Sequence, residues 1–238
     1  MPYDKRFDGR KFEEVREMEG KVGIIPRADG SAMFRTGKTI AIAAVYGPRK
    51  VLPAFMQNPK GGVLKCVYDL LSFSVTERKR PGPSRRSTEI SKVTADSLAP
   101  VLDLTKFSYL GVDVYVYITQ ADAGTRAAGI NAAAMALADA GMPMKDLITS
   151  IAVGKVSDKI VVDLDKDEED HEDGATDLPM AMSTRTGEIT LLQMDGNMTQ
   201  KEIKEAVEMG MKACIEIKKV QVEALKAKYT EAGKWKNI

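Results

Sequence analysis

The chain has 238 residues, with 35 Lys+Arg against 34 Asp+Glu and a formal net charge of +1. A balance this even excludes a uniformly basic nucleic-acid binder, so any polyanion site must come from local clustering. Cys66 and Cys214 are far apart and match no metal spacing, and the single histidine gives Ser-His or Cys-His catalysis little to work with.

No apolar run reaches membrane-spanning length and Met1–Arg10 is charged rather than signal-like, so a cytoplasmic protein without membrane contact is expected. In chain order, Asp8-Gly9-Arg10 reads as a turn and Lys11–Glu19 carries short helical potential. Val22–Pro26, Ala32–Arg35 and Thr39–Tyr46 read as strands of an antiparallel meander, closed by Gly47-Pro48-Arg49. A Pro/Gly loop over 50–62 leads to a strand at Val63–Ser74, then to a basic loop and a helix over Arg85–Leu102. The alternating run Val112–Ile118 predicts another strand, and the alanine-rich run Ala127–Ala140 a helix stopped at Gly141. Ile148–Val156 and Lys159–Leu164 form a hairpin around Ser157-Asp158, and Pro179–Ser183 pairs with Glu188–Met194. The capping box Thr199–Glu202 opens a long helix to about Tyr229. These blocks predict an α+β domain with helices packed on sheets.

Three clusters carry chemistry. Gln120–Gly129 (Q-A-D-A-G-T-R-A-A-G) joins a strand to a helix start, where unpaired backbone N–H groups and the helix dipole favour an anion. Gly124 allows close backbone approach, Thr125 offers a hydroxyl and Arg126 a planar fork, which together suit a phosphate. The loop Arg78–Arg86 sets five cations in nine residues, with prolines that prevent an ordinary helix face. Arg85 and Arg86 fall at the start of the next helix, where cations are unfavourable unless an anion joins them.

The third cluster is the acidic run Asp163–Asp177. Its D-x-D-x-D start lacks the glycine at the sixth position and the glutamate at the twelfth that a calcium loop needs. A magnesium or manganese site using one or two carboxylates plus phosphate oxygens asks less, and Asp163 and Asp177, each beside an apolar strand, are the best-fixed candidates. His171 reads as a loop residue, Trp235 as packed or frayed near the C-terminus, and the methionines as core filling.

An anion cradle, a cationic loop and metal-capable carboxylates are parts for chemistry on phosphodiesters. R-P-G-P-S-R-R-S at Arg80–Ser87, the cradle Gln120–Gly129, V-V-D-L-D at Val161–Asp165, F-D-G-R at Phe7–Arg10, A-D-G-S-A at Ala28–Ala32 and L-L-Q-M-D-G at Leu191–Gly196 resemble the RNase PH family, most closely the catalytic RNase-PH-like subunits of archaeal exosomes. The resemblance spans nearly the whole chain. It implies a single RNase PH-like domain over 1–238 (ribosomal protein S5 domain 2-like), with a first β-α block over about 20–105 and a second over about 110–230. It also implies a phosphorolytic 3′→5′ exoribonuclease that uses inorganic phosphate as co-substrate and Mg2+ or Mn2+ to release nucleoside diphosphates from single-stranded RNA. The partners it implies are an inactive paralogue in a hexameric ring and RNA-binding cap proteins.

By motif, Gly124, Thr125 and Arg126 match the phosphate loop, Arg78, Arg80, Arg85 and Arg86 the RNA grip, and Asp163 the first catalytic and metal-binding aspartate. The family's second acidic residue lies six positions on, at Glu169, but an inserted residue makes Asp170 the better match as catalytic and metal-binding residue; the second metal ligand stays open between Asp170, Glu169 and Asp177, the last also a catalytic candidate. A non-catalytic scaffold should have lost the anion loop or the acidic strand end, and both are present. A stand-alone tRNA 3′-trimming enzyme would share the chemistry, whereas a hydrolytic nuclease would leave the anion loop without a role.

Overall fold

The computed structural model describes residue 3 and residues 5–171 and 174–234; Trp235, Glu172 and Asp173 lie outside them. The strands are β1 (Met18–Val22), β2 (Gly30–Thr36), β3 (Thr39–Lys50), β4 (Val63–Leu70), β5 (Leu110–Gln120), β6 (Ile148–Val156), β7 (Lys159–Val162), β8 (Ala175–Ser183) and β9 (Ile189–Leu192). The helices are α1 (Arg85–Leu98), α2 (Thr125–Asp139), α3 (Lys166–Glu169) and α4 (Gln200–Lys234). One sheet has the order β1-β2-β3-β5-β4 and the other β7-β6-β8-β9. The first sheet is mixed, because β4 and β5 run parallel with α1 as their crossover, whereas every pair in the second is antiparallel. The α+β expectation holds. The expected break between blocks near 105–110 does not describe the sheets: β5 hydrogen-bonds to β3 and β4 and therefore completes the first one.

α2 fixes the relation between the sheets. Nearly every position from Thr125 to Leu137 is buried, and the helix packs on β2, β3 and β5 on one side and β6 and β8 on the other. A helix apolar all round suits such a buried position, and its alanines and glycine let the layers close. A Cβ at Gly129 would lie 3.1 Å from Val116 and 3.3 Å from Tyr68, so a larger residue there would push β4 and β5 away. Asn131 links the layers by polar contacts: its amide donates to the Ser150 carbonyl (2.8 Å) and accepts from the Ser150 N–H (2.9 Å) and from Gln221 of α4 (3.2 Å).

Most predicted strands and the long helices are present with shifted ends, but the strand expected over Val22–Pro26 is not: the first strand is Met18–Val22, and it shares only Val22 with that expectation. α1 stops at Leu98 and one 3-10 turn, Ala99–Val101, follows, since Pro100 lacks an N–H for the next helical bond. The helix expected over Lys11–Glu19 does not form. Its last two residues, Met18 and Glu19, open β1, and the residues before them bond to the end of β7: the Val162 N–H donates to the Phe12 carbonyl (2.8 Å) and the Arg16 N–H to the Asp163 carboxylate (2.8 Å). The acidic run holds the short α3, opened by a reciprocal capping box between Asp165 and Glu168.

Candidate active site

The chain enters α2 through two left-handed residues, Ala123 (φ 57°) and Gly124 (φ 61°). Glycine adopts that conformation without strain, and as N-cap it brings no side chain to occupy the first N–H groups of the helix. Gly124, Thr125, Arg126 and Ala127 line an open cavity of ≈ 800 Å³. The helix end thus presents free donors and positive dipole potential to the cavity, as an anion requires. The Arg126 guanidinium reaches Gln193 Oε1 through Nη1 and Glu89 Oε2 through Nη2 (3.2 Å), while its buried Nε has no partner.

Arg86 lines the same cavity from the first turn of α1, together with Ser84 and Ser87. Ser84 and Ser87 form a capping box, the Ser87 N–H donating to Ser84 Oγ (3.0 Å) and the Ser84 N–H to Ser87 Oγ (2.7 Å), which fixes the start of α1. Arg78, Arg80 and Arg85 are exposed and lie outside the cavity lining. Among the described residues none of these four arginines makes an ion pair, which leaves their charge available to a polyanion. Lys79 instead pairs with Asp69 and donates to the Leu70 carbonyl (3.3 Å), tying the basic loop to the end of β4.

The same cavity is also lined by Glu169, Asp170 and Asp177. Burial pushes the Asp177 carboxyl up to about 6; Arg126 and Arg86 pull it down and Asp195 adds to the rise. Its Oδ1 is buried without a hydrogen-bond partner. Burial and the neighbouring Asp177 likewise raise Glu169. Asp170 is exposed and pairs with Lys166 at 2.8 Å one helical turn earlier.

Asp163, expected to be the first catalytic and metal-binding aspartate, is not part of this group. It is 2% exposed, absent from the cavity lining, and both its oxygens are held by Arg16: Nη2 to Oδ1 at 2.7 Å, Nε to Oδ2 at 2.9 Å. Arg10 approaches at 3.6 Å. In this structure the Asp163 carboxylate is thus engaged as the ion-pair partner of Arg16. The strand end that the motif located is real, and the residue there turns away from the cavity lining at φ 56°, its Oδ1 3.9 Å from where a Cβ on Gly124 would stand. Of the open acidic positions, Glu169, Asp170 and Asp177 are brought together.

Sequence reading missed four contributors. Arg6 and Arg16 carry no local signal, since their partners are about 150 residues away. Arg6 donates to Glu168 from Nε (2.8 Å) and Nη2 (2.7 Å), and Tyr3 donates to the same carboxylate. Glu89 lies one turn after Arg86 on α1, and Gln193 lies inside the L-L-Q-M-D-G motif, where its context was visible but its role was not.

Among the described residues no three His, Cys, Asp or Glu side chains converge as a ready-made metal cluster, and no helix is long and apolar enough to cross a membrane. Residues 14–143 match the 3′ exoribonuclease family, domain 1, and residues 146–213 match domain 2 of that family. The chain is 49% identical to the exosome complex component Rrp41 of Thermococcus kodakarensis over 225 residues, 94% of this chain and 90% of that one. It is 46% identical to Rrp41 of Archaeoglobus fulgidus over 231 residues, 96% of this chain and 89% of the relative. Two solved structures share the fold: rice Rrp46 (TM-score 0.81, 23% identity, covering 92% of this chain and 100% of that one) and a chain of the Archaeoglobus fulgidus exosome with RNA bound to the active site (TM-score 0.78, 22% identity, 91% and 92%).

Proposed function

The chain belongs to the 3′ exoribonuclease (RNase PH) family, and on that premise we propose that it is the catalytic subunit of an exosome core ring, degrading single-stranded RNA from its 3′ end by phosphorolysis. The observation that carries this reading is one cavity that holds an uncapped helix N-terminus with Arg126 on one wall and Asp177, Glu169 and Asp170 on another. A hydrolase has no use for a second anion site beside the scissile phosphate. A scaffold subunit has no use for a buried carboxylate with an orphaned oxygen.

In this reading the N–H groups at the start of α2, the Thr125 hydroxyl and Arg126 hold inorganic phosphate, and Arg86 holds the RNA backbone beside it. A phosphate oxygen attacks the phosphorus of the terminal phosphodiester and the bond from phosphorus to O3′ breaks. The last nucleotide leaves as a diphosphate, and the proton of hydrogen phosphate ends on the departing O3′. Asp177 lines the same cavity, where the charges of Arg126 and Arg86 act on its carboxyl. Binding both anions before reaction supplies proximity, and the cationic wall offsets their mutual repulsion.

The acidic wall also fits a divalent cation. Asp177 Oδ1 is buried and unpartnered and Asp170 is solvent-accessible, a donor set of carboxylate oxygens that suits Mg2+ or Mn2+ completed by phosphate oxygens and water. Asp170 and Asp177 would hold such an ion, and its charge would stabilise the phosphoryl oxygens. The relatives' name places them in the exosome, and the same assembly is proposed here: a hexameric ring with an inactive paralogue, capped by RNA-binding proteins, without a membrane.

The test is a product assay on single-stranded RNA with magnesium, with and without phosphate, in the presence of the paralogue. Nucleoside diphosphates formed only with phosphate are expected. Monophosphates formed without it would overturn the reading. In the same assay Arg126→Ala raises the phosphate KM about thirtyfold, the loss of roughly 2 kcal/mol of charge-assisted contact.

A further inference from the structure

Arg126 does not reach the cavity unaided. Three side chains from three separate elements close a hydrogen-bonded ring: Arg126 Nη1 donates to Gln193 Oε1, Arg126 Nη2 to Glu89 Oε2 (3.2 Å), and Gln193 Nε2 to Glu89 Oε1 (2.9 Å). Each group in the ring uses every atom facing the others. The Gln193 amide must present its oxygen to the guanidinium and its nitrogen to the carboxylate, since the flipped amide would meet both with the wrong polarity. The ring occupies both Nη atoms and leaves the buried Nε unpartnered.

Gln193 is itself fixed from the acidic side. Its N–H donates to the Pro179 carbonyl (3.1 Å), and two residues on, Asp195 and Asp177 exchange backbone hydrogen bonds at 2.8 and 2.9 Å. The strand that carries Asp177 thereby also holds the residue that holds Arg126. Glu89 adds the third anchor from α1, whose first turn bears Arg86.

We propose that Gln193 and Glu89 are positioning residues that lock the Arg126 guanidinium in the orientation that selects inorganic phosphate as the attacking group; this rests on the phosphorolytic reading. They touch neither phosphate nor RNA. Their effect is confined to the phosphate site, because the RNA grip is carried by arginines outside the ring.

The experiment compares wild type, Gln193→Glu, Glu89→Gln and the Gln193→Glu/Glu89→Gln double variant in the assembled complex. It measures kcat, the phosphate KM at saturating RNA, RNA affinity, and the rise in Tm that inorganic phosphate alone gives the unreacted protein. Each single variant breaks the polarity of the ring and is expected to raise the phosphate KM about tenfold, with RNA affinity unchanged and the phosphate-induced Tm rise reduced. In the double variant the amide donates to the carboxylate from the other side, so the ring re-forms and the phosphate KM returns to within about threefold of wild type. Restoration separates positioning from mere damage. Wild-type phosphate KM in both single variants, in a protein whose phosphate dependence and Arg126→Ala defect are intact, overturns the proposal while leaving phosphorolysis standing. Equal losses in RNA affinity and phosphate KM overturn it too, as would a double variant no better than the singles. A wild-type protein that ignores phosphate removes both.

Discussion

The acidic run splits into two halves that share composition and differ in partner. Asp163 and Glu168 are buried and each is held by an arginine of the N-terminal segment, Arg16 and Arg6. Burial alone would raise the Glu168 carboxyl, but Arg6 and Tyr3 outweigh it and hold it below the usual range. Asp177 and Glu169, in the same run, are raised first of all by burial, which the charge of Arg86 lowers but does not offset. The first pair fastens the N-terminal segment to β7 and α3; the second is left with unspent charge facing a cavity. Whether a carboxylate is structural or functional here depends on which arginine reaches it, and the arginines come from the other end of the chain.

The largest effect should come from the structural half. Asp163→Ala strands the Arg16 guanidinium, which is 7% exposed, and costs about 3–5 kcal/mol of stability by urea denaturation. A wild-type unfolding midpoint with turnover lost would restore Asp163 to the active site. Asp177→Ala is the converse: phosphorolysis falls about 100-fold or more while the midpoint holds. Equal loss of stability in the two variants would erase the distinction between the halves.

A smaller effect follows from the raised Asp177 carboxyl. Its value in the folded protein, about 6, exceeds the ordinary 3.8, so folding favours the protonated form; that contribution is fully present below pH 4 and is lost as pH rises through 6. With chelator present, Asp177→Asn is therefore expected to match wild type near pH 4 and to exceed its Tm by a few degrees at pH 7. A Tm difference independent of pH would show that the carboxyl is not strained by burial. Smallest is the contribution of single exposed cations. Arg85→Ala or Arg86→Ala should weaken RNA binding at low salt and flatten the dependence of log affinity on log salt by about 0.7 each, without base selectivity. An unchanged slope would place the RNA path elsewhere.

Local pattern determined much of this protein. Alternation marked β5, alanine content marked α2, and Gly124-Thr125-Arg126 marked the turn that joins them, because period, helix propensity and turn chemistry act within a few residues. The family motifs located the acidic run and the basic loop. What tertiary structure decided was pairing at long range. It sent Arg6 and Arg16 to Glu168 and Asp163, prevented the helix at Lys11–Glu19 by engaging its backbone elsewhere, and set Gln193 and Glu89 around Arg126. Charge identifies which groups need a partner; only the folded chain, by bringing residues about 150 positions apart into contact, decides which groups receive one and which stay free for chemistry.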